Sequence, residues 1–369
     1  MIGPSDLRHR RGEYVQGIAQ FSLSGHDDEI VGEPGLDAAL VQLLTSNVDC
    51  LTFEHRVNEL QCEVNRLLEP AFIHGVEAAL WEIHRALFLI YELNFMNPLH
   101  PATRHQFDPW LTRMRQSIEE KWLSTDISCV VDELPSQEVL AQPQSIAEWF
   151  EDHAKARSFD DASIEEFLEH QMTLEQLKCF VLTDGYLNYR FYDIIVLAAS
   201  SYSEFVKGEI SRHIWDECGN GKARFAHTNQ FTLVLQKLDL ELPRCPIWTD
   251  WRPYAGFNLH FMLGMSRRHY FKALGSLAMP ELFDPVRNRA LNRGLQRLGF
   301  SSKRDFRFYY LHETLDVGHG EGWLANIIQP ILRVQPAAGR ELALGGALRM
   351  LAFRRYNSYL AELFALERH

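Results

Sequence analysis

The sequence predicts an all-α protein, and three observations carry that prediction. Apolar residues recur at three- and four-residue spacing along most of the 369 residues, which is the period of helices with one buried face. Alternating apolar and polar runs bounded by Asn-Gly or Asp-Gly turns, the mark of hairpins, are almost absent. Hydrophobic residues make up 46% and charged residues 23% of the chain, a balance that fills a core and excludes disorder as the dominant state.

Each element follows from that period. Long amphipathic helices are predicted over residues 36–68 and 72–93, with a third over 108–123. Between 124 and 145 the period is lost, Pro135 and Pro143 intervene, and a linker is expected. The chain then divides into an N-terminal helical accessory domain, 1–144, and a larger domain, 145–369. Thr173 with Gln176 three residues on is a capping box that opens a helix reaching about residue 201. Gly219, Asn220 and Gly221 interrupt the next helical stretch, and the three prolines and two tryptophans of 243–253 predict an irregular loop. Helices are expected over 255–274, 280–298, 303–319 and 342–366, with Gly299 as a C-terminal cap. That arrangement gives roughly seven helices after the linker, enough for a bundle that holds a site in its interior.

Composition narrows the partners. A net charge of -12 repels phosphate backbones and anionic headgroups, so neither nucleic acid nor a membrane surface is expected as a partner. No apolar run approaches the roughly 20 residues needed to span a bilayer, and no secretory leader pattern follows Met1. Six scattered cysteines without a CxxC pair read as reduced thiols, mostly core, of a cytoplasmic protein.

The segment YYLHETLDVGHGEGW contains His312, Asp316 and His319. Offsets of four and three residues place them within about 60° of arc on one helical face. Taken alone, that pattern fits a metal face and a solvated face about equally. In HIWDECGNGKARFAH, Glu217 and His227 flank the glycine break, which lets an interrupted helix aim both at one point. A straight helix would hold them roughly 15 Å apart. Glu281 follows Pro280 at the expected first turn of a helix, where an acid also suits the helix dipole. Three carboxylates and three imidazoles without a thiolate suit iron or manganese better than structural zinc, and six exceed the needs of one open catalytic metal.

With these motifs the sequence resembles the heme-oxygenase-like di-iron oxidases, the iron-containing redox enzymes. The resemblance runs from about residue 145 to the end. It rests on Glu217 in WDECGNG, His227 in ARFAHTNQF, Glu281 in LAMPE, and His312, Asp316 and His319 in YYLHETLDVGH. It implies a heme-oxygenase-like seven-helix bundle without heme, two irons (manganese in one site being a variant), and dioxygen as co-substrate. It further implies oxidation of a small amino-acid-derived or other carboxylate metabolite by carbon–carbon cleavage, oxidative decarboxylation or desaturation. An external electron donor is compatible with that chemistry, since no dinucleotide fingerprint occurs. By the same resemblance the N-terminal helices are an accessory domain that helps form a homodimer.

Similar enzymes that oxygenate nitrogen carry an extra glutamate on the helix before the first ligand pair, where this chain has Arg190 and Phe191. Asp184 and Asp193 on that helix are the substitutes an N-oxygenase would use. Arg190, if turned toward two cations, needs an anion between, and a substrate carboxylate is the obvious one; pairing with Asp193 is the plainer role. His213, His260 and His269 read as ordinary bundle histidines, and His74, Glu77 and His84 as a solvated face. A non-catalytic helical scaffold and a cofactor-free transferase or lyase stay open as alternatives.

Overall fold

The computed structural model describes residues 35–160, 162–200, 203–241 and 246–366, and all regular structure among them is helical. The described residues form two compact units, one within 1–128 and 243–258, the other within 129–242 and 259–369. No described helix is long and apolar enough to cross a membrane.

The first unit contains α1 (Leu36–Thr45), α2 (Cys50–Phe72), α3 (Glu77–Glu92) and most of α4 (Pro109–Val130). The single helix expected over 36–68 is two, because Asp49 starts a new one: its side chain accepts from Thr52 N at 2.9 Å. The expected linker also differs. α4 continues past residue 123, where buried Trp122 donates through Nε1 to buried Asp126 at 2.7 Å, and short helices Val131–Glu133 and Gln137–Leu140 follow.

His84 corrects the solvated-face reading. Exposed His74 and Glu77 fit it, but His84 is fully buried among the rings of Phe72, Trp122 and Trp251. The expected loop over 243–253 ends early as well. Asp250 Oδ1 accepts from Arg252 N at 2.8 Å and opens α9 (Trp251–Met265), so Pro253 falls in a first turn where its missing N–H costs nothing. Trp248 is buried against Tyr254, ring centroids 4.9 Å apart, as a packing anchor of this unit.

The second unit contains α5 (Pro143–Asp160), α6 (Leu174–Ala198), α7 (Glu204–Glu217), α8 (His227–Lys237), α10 (Tyr270–Arg297), α11 (Arg307–Trp323) and α12 (Gly339–Leu363). The capping box at Thr173 is present in both directions, and Gly299 ends α10 with a φ of 87°. α10 is the central helix and packs along both α11 and α12. Glycines make that closeness: a Cβ on Gly275 would strike the Leu342 carbonyl, and one on Gly345 the Lys272 carbonyl.

α10 begins ten residues before the expected start, so Pro280 and Pro285 lie inside it and Glu281 is a buried mid-helix residue. The first-turn role for Glu281 is thereby removed, since the N-terminus of its own helix lies about three turns back at Tyr270 and the dipole effect falls off within the first turn. The cysteines are also less buried than expected. Cys50, Cys62 and Cys129 are exposed, Cys179 and Cys218 are half-buried, and Cys245 lies outside the described residues.

Candidate metal centre

α7, α8, α10 and α11 bring five of the six predicted ligand positions into two groups, all of them buried but the half-buried His312. The first joins Glu217, His227 and His312; the second joins Glu281 and His319 with His213, and within each group the ligand-type atoms lie within 4.8 Å of one another. The sixth position, Asp316, is buried beside the second group, its Oδ1 3.8 Å from His319 Nδ1.

The first group depends on the break after α7. α7 ends at Glu217, Gly219 and Gly221 take φ values of 65° and 73°, and the chain turns so that α8 starts at His227. His227 Nδ1 then lies 2.9 Å from Glu217 Oε2. From α11, His312 brings its ring centroid to 4.7 Å from that of His227. The His312 Nδ1 is 2.8 Å from the Phe308 carbonyl, which only accepts, so this nitrogen carries the proton and Nε2 keeps its lone pair.

The second group lies between α7, α10 and α11. His319 Nδ1 is 3.5 Å from Glu281 Oε2, while Nε2 bonds the Asp216 carboxylate at 3.2 Å. A carboxylate on the outer nitrogen holds the proton there and turns a lone pair inward, the arrangement that orients metal-binding histidines. Gly320 permits the approach of α11 to α10, since a Cβ there would lie 3.0 Å from the Glu281 carbonyl oxygen.

Burial and charge act together on these groups. Burial, then the Glu281, Asp284 and Glu217 carboxylates, push the Asp316 carboxyl well above its ordinary range. Burial and then His227 lower His312 to about 4, so its imidazole is neutral at neutral pH. Burial works to raise Glu217, but His227, His213 and His312 hold it below the usual carboxylate range. Burial opposes protonation of His319, but Glu281 and Asp216 raise it overall. The carboxylates of both groups favour positive charge among them, as the raised His319 shows, and the inward lone pair of His312 is open to an electrophile. A metal cation answers both requirements, and oxygen and nitrogen donors without sulfur suit iron.

The remaining sequence candidates take other places. Arg190 is buried on α6 and pairs with Asp193 at 3.3 Å, and neither belongs to a group. Asp184 is bonded by the Tyr356 hydroxyl, and burial followed by the opposing Arg287 charge leaves its carboxyl raised. Tyr310 lies under Lys303, 5.7 Å from Nζ to the ring centroid. Sequence reasoning missed Asp216 and Trp323, and it read His213 as an ordinary bundle histidine where the structure places it in the second group. Their signal was helical spacing: His213 precedes Glu217 by four residues and Trp323 follows His319 by four, so each shares a face with a candidate ligand.

No curated protein matches the chain. The span from within α6 to within α12, residues 180–355, which contains every residue of both groups, matches the model of a heme-oxygenase-like helical family, the iron-containing redox enzymes.

Proposed function

We propose that the second unit is a non-heme di-iron oxidoreductase that uses dioxygen to oxidise a small amino-acid-derived or other carboxylate metabolite. The observation that supports it is the pair of histidine–carboxylate groups, buried apart from the half-buried His312, with Asp316 beside the second, on four helices of one unit. Glu217, His227 and His312 would hold one iron, and Glu281, Asp316 and His319 the other. The bound metals supply the redox chemistry and Lewis acidity, and an external donor or the substrate supplies electrons.

The protein's own contribution is preorganisation. Phe308 and Asp216 fix the proton positions of His312 and His319, and the bundle interior removes water from the carboxylates. Carbon–carbon cleavage, oxidative decarboxylation and desaturation all fit this arrangement. Nitrogen oxygenation is the second reading. It would draw on Asp184 or Asp193, but these carboxylates already engage Tyr356 and Arg190.

Anaerobic titration of the metal-free chain with ferrous iron, beside Asp316→Ala, tests the centre. About two irons per chain, reduced in the variant, supports the proposal. No iron uptake, or uptake equal to wild type in the variant, sinks it and returns the chain to the scaffold reading.

A further inference from the structure

His213 is the seventh ligand-type residue of the centre, and its surroundings differ from those of the other histidines. Its ring is 4.0 Å from that of His319, and its Nε2 is 3.7 Å from both Glu217 Oε1 and Glu281 Oε1, one carboxylate from each group. By proximity alone it completes the second group as a ligand. The difference lies at the other nitrogen. For His312 the outer nitrogen faces a carbonyl, and for His319 it faces a carboxylate; both are acceptors, so in the neutral ring each can keep its proton outside and leave the inner nitrogen for a metal.

The outer nitrogen of His213 faces a donor. Trp323 Nε1 lies 3.0 Å from His213 Nδ1, and both side chains are 1% exposed. An indole N–H cannot accept, so Nδ1 must be the unprotonated nitrogen and the neutral ring carries its proton on Nε2. Metal ligation through Nε2 would require the proton on Nδ1, where it would meet the indole hydrogen with no acceptor between them.

We infer that His213 is a positioning residue and not an iron ligand: Trp323 fixes its proton on Nε2, directed at Glu217 and Glu281. The Nε2 N–H then lies between a carboxylate of each group, its nitrogen 3.7 Å from either oxygen, too long for a hydrogen bond, and acts on both by charge and packing. The second group is left with Glu281, His319 and the neighbouring Asp316. This inference rests on the two-iron reading of the centre, and the experiment separates the two.

Nitrogen-15 NMR of the ring, on metal-free protein and on protein loaded with diamagnetic zinc, is read beside ferrous iron titration of wild type and of His213→Gln and His213→Leu. The expected spectrum shows a protonated Nε2 and an unprotonated Nδ1 in both forms, with Trp323→Phe abolishing the preference. Gln keeps an N–H donor, so His213→Gln retains two irons per chain, while His213→Leu weakens iron binding about 10–100-fold. An Nε2 that loses its proton on zinc loading, or one iron per chain in His213→Gln, overturns the inference. A wild type that takes up fewer than two irons fails the centre instead, and the spectrum of the metal-free chain still decides where Trp323 places the proton.

Discussion

Asp216 Oδ2 and His319 Nε2 are 3.2 Å apart, so the residue next to Glu217 on α7 orients a histidine of the opposite group on α11. α7 thus supplies Glu217 to one group while aiming His319 of the other. Asp216→Ala is expected to weaken iron binding about 10–100-fold without unfolding the bundle, because it removes the orienting acceptor and not a ligand. Iron titration with circular dichroism checks it, and unchanged affinity would separate Asp216 from the centre.

Gly320→Ala tests the approach of α11 to α10. The added Cβ would lie 2.9 Å from Leu282 Cδ2 and 3.0 Å from the Glu281 carbonyl oxygen. Leu282 can turn aside but the α10 backbone cannot, so a loss of about 1–3 kcal/mol is expected. Iron affinity should fall with it, since His319 is the adjacent residue. Denaturant melts and iron titration of the same variant give both quantities.

The metal-free chain should lose stability on acidification. His312 and His269 both have folded values near 4 against an ordinary 6.5, with burial the main cause, assisted by His227 for the first and by Lys272 and Arg268 for the second. Below 6.5 the unfolded chain binds more protons than the folded one, so their contribution is lost from about pH 6.5 down through about pH 4. Denaturant midpoints measured across that window should fall, and a flat profile would show that these rings titrate alike in the folded and unfolded chain.

Iron affinity should rise with pH. Burial and neighbouring carboxylates make Asp316 hold its proton further up the scale than an ordinary carboxyl, and metal must displace it. Calorimetric titration in buffers of different ionisation enthalpy should detect proton release that is reduced in Asp316→Asn.

Arg190 gives a substrate-level prediction. If a substrate carboxylate exchanges with Asp193 at its guanidinium, Arg190→Ala raises KM for a carboxylate substrate about tenfold or more with little change in kcat. An unchanged KM would leave Arg190 as a partner of Asp193 only.

The helical class was legible because its period repeats along nearly every element, and Glu217, His227, His312, Asp316 and His319 were legible because their spacing is set by one helix or one break. The start of α10 was not. Pro280 followed by an acid reads locally as a helix beginning, and only packing against α11 and α12 carries the helix through it. His84 shows the same limit in the first unit, where a histidine at polar spacing is enclosed by aromatic rings from three separate segments. His213 was legible as a position but not as a role, because the proton on its ring is decided by Trp323, 110 residues away in sequence.

Pro280 and Pro285 have a consequence of their own. Each lacks an amide hydrogen, so neither can bond the carbonyl four residues earlier, which belongs to Ser276 in one case and to Glu281 in the other. Two rungs of the helical ladder are therefore missing around the carboxylate that faces His213 and His319. The bundle's longest helix is weakest in its own backbone where it carries Glu281, and there its rigidity is borrowed from what the side chain grips. Loading the centre would then tighten α10 from the middle outward, and slow amide exchange at residues 282–284 would record it.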